Sequence, residues 1–218
     1  MEKYPDGRTY YALYQRFADH RVPKDLIRRA GPLDGKLALD LCGGSGRLAL
    51  MAVEEGARMA WLVEQEEAMI FSEAWLDPKI RVAVSDVESA LFDLQKFGAE
   101  FQAVFCQQAV NYWLNERTVD LLANVMPKDG VFIFNTFIAR PPEKPVVKEY
   151  GLDGHSFVEV SWAVGDVVHH VQVRDGLSSH TTTFKWLSQK SFRAILEKRF
   201  SVEVQCEDKT AIYCCVKK

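Results

Sequence analysis

The sequence predicts an α/β fold: a doubly wound, mostly parallel sheet with helices on both faces. Three observations predict it. Apolar runs of strand length alternate with helix-forming runs from Leu37 to Phe137. The first, Leu37–Leu41, ends in the glycine turn Cys42-Gly43-Gly44-Ser45-Gly46, which opens straight into the helix-forming run Arg47–Ala52. The next, Arg58–Val63, ends in an acid, Glu64, 18 residues beyond Gly46. Gly44, Gly46 and Ala49 also fit the G-x-G-x-x-[GA] spacing of nucleotide-binding turns, where bare backbone N–H groups approach a ligand. An acid at the second strand end suits a ribose, because a carboxylate accepts two hydrogen bonds from a vicinal diol.

Along the chain, residues 8 to 30 read as two short helices broken at Pro23, with Tyr10, Tyr11, Tyr14 and Phe17 on one face. Gly31-Pro32 and Asp34-Gly35 mark the loop before the first strand. Glu66–Trp75 reads as a helix ended by Asp77-Pro78, and Ile80–Val84 as the third strand. Asp86 follows a third strand end, as a ligand contact or as the N-cap of the next helix. Phe101–Cys106 is the fourth strand and Thr118–Met126 a helix. Pro127-Lys128-Asp129-Gly130 turns into a fifth strand, Val131–Phe137, and the proline-rich Arg140–Pro145 reads as a loop. Ser188 N-caps a last helix, Gln189–Lys198, and Ser201–Cys206 with Thr210–Val216 form a terminal hairpin.

Between these lies an antiparallel meander of three strands, over about residues 157–186. Gly165-Asp166 and Asp175-Gly176 suit two-residue hairpin turns. That register pairs Trp162 with His169 and His169 with Thr182, and Val160 with Val171 and Val171 with His180. These side chains then share an apolar face with Phe184, while Glu159, Ser161, His170, Gln172 and Arg174 face water.

The segment LDLCGGSG, residues 39–46, resembles the first motif of class I S-adenosylmethionine (SAM) dependent methyltransferases. LVEQEEAMI, residues 62–70, resembles the acidic strand end and helix that follow in that family. Two residues depart from the pattern: Cys42 replaces a glycine, which requires its φ to stay negative, and Gly43 stands where many members have another residue. Asn111-Tyr112 match the family's fourth motif, with Gln107 and Gln108 in place of its usual first residues. N-P-P-[YF], the mark of amide and DNA-base methylation, is absent.

The resemblance implies a Rossmann-like sheet of seven strands with the last reversed, and SAM as cofactor. It implies a cofactor cradle of Asp40, Cys42, Gly43, Gly44 and Gly46, with Asp40 toward the amino group and Glu64 with Gln65 toward the ribose. Asp86 and the Val87 N–H would meet the adenine, and Arg21 the methionyl carboxylate. Tyr14 would close an N-terminal lid of about residues 8–30, and Gln107 would lie near the transferred methyl. Tyr112, His169 and His180 are the candidates for catalysis, with His155 as a further base for a hydroxyl acceptor. The meander is similar to the accessory sheet of amino-sugar N-methyltransferases, which roofs the acceptor pocket or forms a dimer contact.

Composition agrees with one domain over residues 1–218. A net charge of −3 excludes a broad nucleic-acid or membrane field. The five cysteines, at 42, 106, 206, 214 and 215, form no C-x-x-C pair, so neither a disulfide framework nor a metal site is expected. The N-terminal residues have no apolar signal-like core, which makes a cytoplasmic protein the expectation. The function expected is methyl transfer from SAM to an amine or hydroxyl of a small molecule, with a homodimer contact through the accessory sheet. A protein or peptide acceptor, an NAD-type oxidoreductase and a non-catalytic SAM-fold binding protein stay open as alternatives.

Overall fold

The computed structural model describes residues 21–152, 155–174, 178–207 and 210–218. The first half alternates α1 (Arg21–Arg29), β1 (Leu37–Leu41), α2 (Arg47–Glu54), β2 (Met59–Glu64), α3 (Ser72–Leu76), β3 (Ile80–Val84), α4 (Val87–Lys96), β4 (Ala103–Gln107), α5 (Glu116–Asn124) and β5 (Val131–Phe137). Four strands then form the accessory sheet: β6 (Val146–Leu152), β7 (His155–Val164), β8 (Val167–Arg174) and β9 (Ser178–Lys185). The chain ends in α6 (Gln189–Leu196), β10 (Phe200–Glu207) and β11 (Thr210–Lys217).

The seven-stranded sheet runs in the order β10-β11-β5-β4-β1-β2-β3. The pairs among β1 to β5 are parallel, and β11 lies antiparallel between β5 and β10. The chain winds outward in both directions from the β1/β4 boundary. That reversal opens a crevice at the carboxyl ends of the strands, where ligands of such sheets bind.

Buried apolar residues alternate between the two faces of each central strand. Leu39, Leu41, Val104 and Phe132 join one core with Leu91 of α4, Leu122 of α5 and Phe192 of α6. Ala38, Phe105 and Ile133 join the other with Leu26 of α1, Leu48 of α2 and Ala74 of α3. Tyr213 of the reversed β11 stacks on its cross-strand partner Phe134, ring centroids 4.5 Å apart, which ties the reversed strand into the sheet.

Four expectations need correcting. Pro23 lies inside α1 rather than at a break. The run after Glu64 divides into a 3-10 turn, Glu67–Met69, and the short α3, with Ile70 and Phe71 extended between them. The accessory sheet has a fourth strand, β6, whose sequence VVKEYGL shows no alternation. The β8–β9 register is displaced by one residue. Trp162 pairs with His169 as expected, but His169 pairs with Thr183, and Gln172 with His180. Arg174 pairs with Ser178, so three residues connect the strands, not two.

That displacement decides which face meets the domain. A shift of one residue moves every side chain of a strand to the other side. Phe184 packs on Tyr112 of the seven-stranded unit, ring centroids 5.0 Å apart. Its register partners Val168 and Ala163 are fully buried. The inward face therefore carries Ser161, Glu159, His170, Gln172 and Thr182, most of which had been expected in water. The apolar face of Val158, Val160, Trp162 and Val171 points outward, alongside the exposed Thr181 and Thr183.

Candidate active site

The glycine turn closes on itself and on β2. The Gly46 N–H donates to the Gly43 carbonyl at 2.9 Å, and the Gly43 N–H to the Val63 carbonyl at 3.2 Å. A Cβ on Gly43 would lie 2.3 Å from Leu62 Cδ1 and 2.5 Å from Asp40 Oδ2, so no larger residue fits. Gly46 has φ +83°, and a Cβ there would lie 2.8 Å from Ala74 Cβ. Cys42 also adopts positive φ, +54°, against the expectation of a negative one. The turn bends left-handed at this point whichever side chain it carries, and a small Cys tolerates the strain. The Cys106 thiol beside it, and burial, push the Cys42 thiol well above its usual range, so it stays protonated.

Two carboxylates brace the turn from below. Gly46 at the start of α2 has no side chain to cap the helix. Asp40 Oδ2 does so instead, accepting the Ala49 N–H at 3.2 Å. Burial pushes the Asp40 carboxyl up to about 8, with Glu64 adding to the effect. Its Oδ1 is buried and makes no hydrogen bond among the described residues. Glu64 bridges the two strand ends: Oε2 accepts the Gly44 N–H at 2.9 Å and Oε1 the Glu66 N–H at 3.0 Å. Burial raises the Glu64 carboxyl too, opposed by those backbone donors.

The remaining strand ends complete the rim. Gln65 is exposed beyond β2. Asp86 is the N-cap of α4, accepting the Ser89 N–H at 2.9 Å, a bond that lowers its carboxyl. Val87, the first residue of α4, has a buried side chain. Gln107 ends β4, and Gln108 follows at φ +56°, its N–H held at 3.2 Å by both the backbone and side-chain oxygens of Asn135. Sequence reasoning missed Asn135. A polar residue inside the apolar run Val131–Phe137 was the signal, and it is fully buried.

Tyr112 links the two sheets. It lies in a 3-10 turn, Val110–Tyr112, beyond β4, with Phe184 on its ring and Thr182 beside its phenol. Burial raises the phenol, so Tyr112 stays protonated at neutral pH and cannot act as a base. His169 is on the outward face of the accessory sheet, stacked on Trp162 at 4.9 Å, and is not brought to this site. His170, its neighbour, is on the inward face beside Thr182. His180 is the register partner of Gln172. Tyr14 lies outside the described residues, as do the side chains of Arg21, His155 and His180. Among the described residues no cluster of three or more His, Cys, Asp or Glu forms a metal site, and no helix is long and apolar enough to cross a membrane.

No protein-family model matches the chain, and no curated protein does. Solved structures do. The SAM-bound amino pentose methyltransferase CalS10 of Micromonospora echinaspora, involved in calicheamicin biosynthesis, superposes with a TM-score of 0.72 at 17% identity, covering 96% of this chain and 97% of that one. A SAM-dependent methyltransferase of Clostridium acetobutylicum gives 0.74 at 17% identity, over 96% and 98%. The sugar N-methyltransferase KedS8 of Streptoalloteichus sp. gives 0.67 at 20% identity, over 95% and 92%. With the strand order, the reversed β11 and the braced glycine turn, these likenesses show that the chain has the Rossmann-like fold of SAM-dependent methyltransferases.

Proposed function

We propose that this protein is a SAM-dependent methyltransferase acting on an amine or hydroxyl of a small molecule. The observation that carries the reading is the glycine turn at the β1/β4 reversal, with Glu64 on the Gly44 N–H. That contact occupies a donor that a pyrophosphate would need, and sets a carboxylate where one would be repelled. Glu64 also suits a ribose diol, which SAM and NAD share, so the occupied Gly44 N–H is what favours SAM over a pyrophosphate-bearing cofactor.

The residues present fit SAM. Cys42 and Gly43 are half-buried, Gln65 and Asp86 are exposed, and Gln107, Gln108 and Tyr112 follow along the strand ends. In this reading Gly43, Gly44 and Gly46 cradle the cofactor over the Asp40 brace. Glu64 and Gln65 hold the ribose, and Asp86 with the Val87 N–H reads the adenine. Tyr14 and Arg21 close over the methionyl end. The cofactor supplies an electrophilic methyl on a sulfonium. The chain's own residues supply position, exclusion of water and electron-rich oxygens beside the cation, from Tyr112 and Gln107.

The acceptor binds between Tyr112 and the accessory sheet. Sugar N-methyltransferases among the similar structures support a small amine, and the polar inward face supports a hydroxylated one. The outward face, with Val147, Val158, Val160, Trp162 and Val164, suits a second copy of the chain, as sheet faces of this composition rarely stay bare. The protein is expected in the cytoplasm.

The test is label transfer from methyl-tritiated SAM to a panel of small amines and phenols, with a lysine- and arginine-containing peptide beside it. Label on a small molecule confirms the reading. Label on the peptide alone would move the assignment to a protein acceptor. Binding of S-adenosylhomocysteine without transfer to either class would favour a non-catalytic binding protein.

A further inference from the structure

The inward face of the accessory sheet holds a histidine–carboxylate pair that fold likeness does not account for. His170 Nε2 lies 3.9 Å from Glu159 Oε1 on the neighbouring strand. Glu159 Oε1 also accepts the Gln172 Nε2–H at 2.9 Å, which fixes the carboxylate. Both partners are partly covered, with side chains 28% and 26% exposed, so each is reachable from solvent without being freely solvated. The pair reaches toward Tyr112 through Thr182, the cross-strand partner of His170. Thr182 Oγ1 is buried, lies next to the Tyr112 phenol and makes no hydrogen bond of standard geometry among the described residues. Thr182 thus stands between the Tyr112 phenol and the His170–Glu159 pair.

Resting on the methyltransferase reading above, we propose that His170, backed by Glu159, is the proton acceptor for a protic nucleophile bound between the accessory sheet and Tyr112. At 3.9 Å Glu159 acts on the imidazole as a nearby negative charge that favours its protonated form, and not as a hydrogen-bond acceptor. In the step, the acceptor nitrogen or oxygen forms a bond to the methyl carbon while the carbon–sulfur bond breaks. The bonding pair passes to sulfur, which becomes a neutral thioether. The proton released by the nucleophile passes to the His170 imidazole, and the Glu159 charge stabilises the imidazolium. The groups facing His170 are Glu159 of β7 and Lys148 of β6, with Thr182 of β9. Desolvation is the largest influence and holds the imidazole below its ordinary range. Glu159 opposes that and Lys148 adds to it. His170 therefore starts neutral at pH 7, as a base must.

The experiment uses the full chain, labelled with 13C at histidine Cε1 and loaded with S-adenosylhomocysteine. Calorimetry of S-adenosylhomocysteine on wild type, His170→Gln, Glu159→Gln and His169→Gln comes first. Equal affinity in all four, within about twofold, is expected. Failure of the wild type to bind would sink the methyltransferase reading itself, not this proposal. The His170 resonance is then titrated with pH, and again with benzylamine or benzyl alcohol in excess. Its midpoint is expected below the ordinary histidine value, and lower still in Glu159→Gln. Either probe is expected to move the His170 signal more than that of His169. Movement with the amine alone assigns nitrogen as the nucleophile, and movement with the alcohol alone assigns oxygen. A purely structural pair would titrate but not respond to the probes. A His170 signal that neither probe moves, a larger response at His169, or a midpoint at or above the ordinary value overturns the proposal.

Discussion

Replacing Asp40 by asparagine should remove a specific piece of the pH dependence of stability. Asp40 is 1% exposed, with Oδ2 on the Ala49 N–H and Oδ1 without a partner among the described residues. Burial pushes its carboxyl from 3.8 up to about 8. The unfolded chain therefore releases this proton near the lower value, and the folded chain keeps it until near the upper one. Between the two the folded state binds one proton more, so stability falls as pH rises, by about 1.4 kcal/mol per pH unit. From about pH 5.5 to about pH 7.5 the loss due to Asp40 is about 2.7 kcal/mol. Asparagine has the same shape, keeps an oxygen for the Ala49 N–H and does not titrate. Urea unfolding of both proteins without cofactor, at the two pH values, measures the difference. Glu64 is present in both, so its own shift largely cancels. The asparagine variant should gain about 2–3 kcal/mol on wild type between the lower and the higher pH. Parallel curves would mean that Asp40 is ionised in the folded protein, and would refute the reasoning.

Three further outcomes follow from the same geometry. Gly46→Ala combines a left-handed backbone with a Cβ 2.8 Å from Ala74 Cβ and 2.9 Å from Leu62 Cδ2. It should cost about 2–4 kcal/mol in urea unfolding. Gly35→Ala, at φ +71° in open space, should cost only about 1 kcal/mol, and equal losses would contradict the packing argument. Cys42→Gly relieves a positive φ but loosens the unfolded chain, for a net change of about 0–1 kcal/mol in favour of glycine. A loss above about 1 kcal/mol would show that the thiol's contacts outweigh its strain. Trp162→Glu places a charge on the outward sheet face and should shift light-scattering mass from dimer to monomer. A wild type that is already monomeric would remove that interface.

Much of the fold was legible in the sequence, because each central strand is a short apolar run bounded by Gly, Pro or an acid. Ile80–Val84 and Val131–Phe137 form where the pattern puts them. The turn at Gly165-Asp166 also forms as read, since its chemistry fixes both length and type. The neighbouring Asp175-Gly176 carried the same chemistry, yet three residues separate Arg174 from Ser178. Nothing local distinguishes a two-residue turn from a three-residue one there, because Ser178 and Ser179 suit either face. The price of that one residue was the whole assignment of faces, and with it the exchange of His169 for His170. The apolar pattern misled for a physical reason: the richer face, with Val158, Val160 and Trp162, is turned away from the domain. Amphipathicity identifies an apolar face but not which surface covers it. The site's acids were visible as strand ends. The N-cap at Asp86 was among the readings of its position, but the cap that Asp40 gives α2, through a contact nine residues away, was not.

Calorimetric titration of S-adenosylhomocysteine, with NADH as control, on wild type and Glu64→Gln tests the central claim most directly. Glu64 holds the Gly44 N–H and faces the expected ribose, so neutralising it should weaken binding by about 1.5–3 kcal/mol, roughly tenfold or more. The account predicts that the wild type binds S-adenosylhomocysteine and not NADH, and that the variant binds it at least about tenfold more weakly. A wild type that ignores S-adenosylhomocysteine, or prefers NADH, would contradict it.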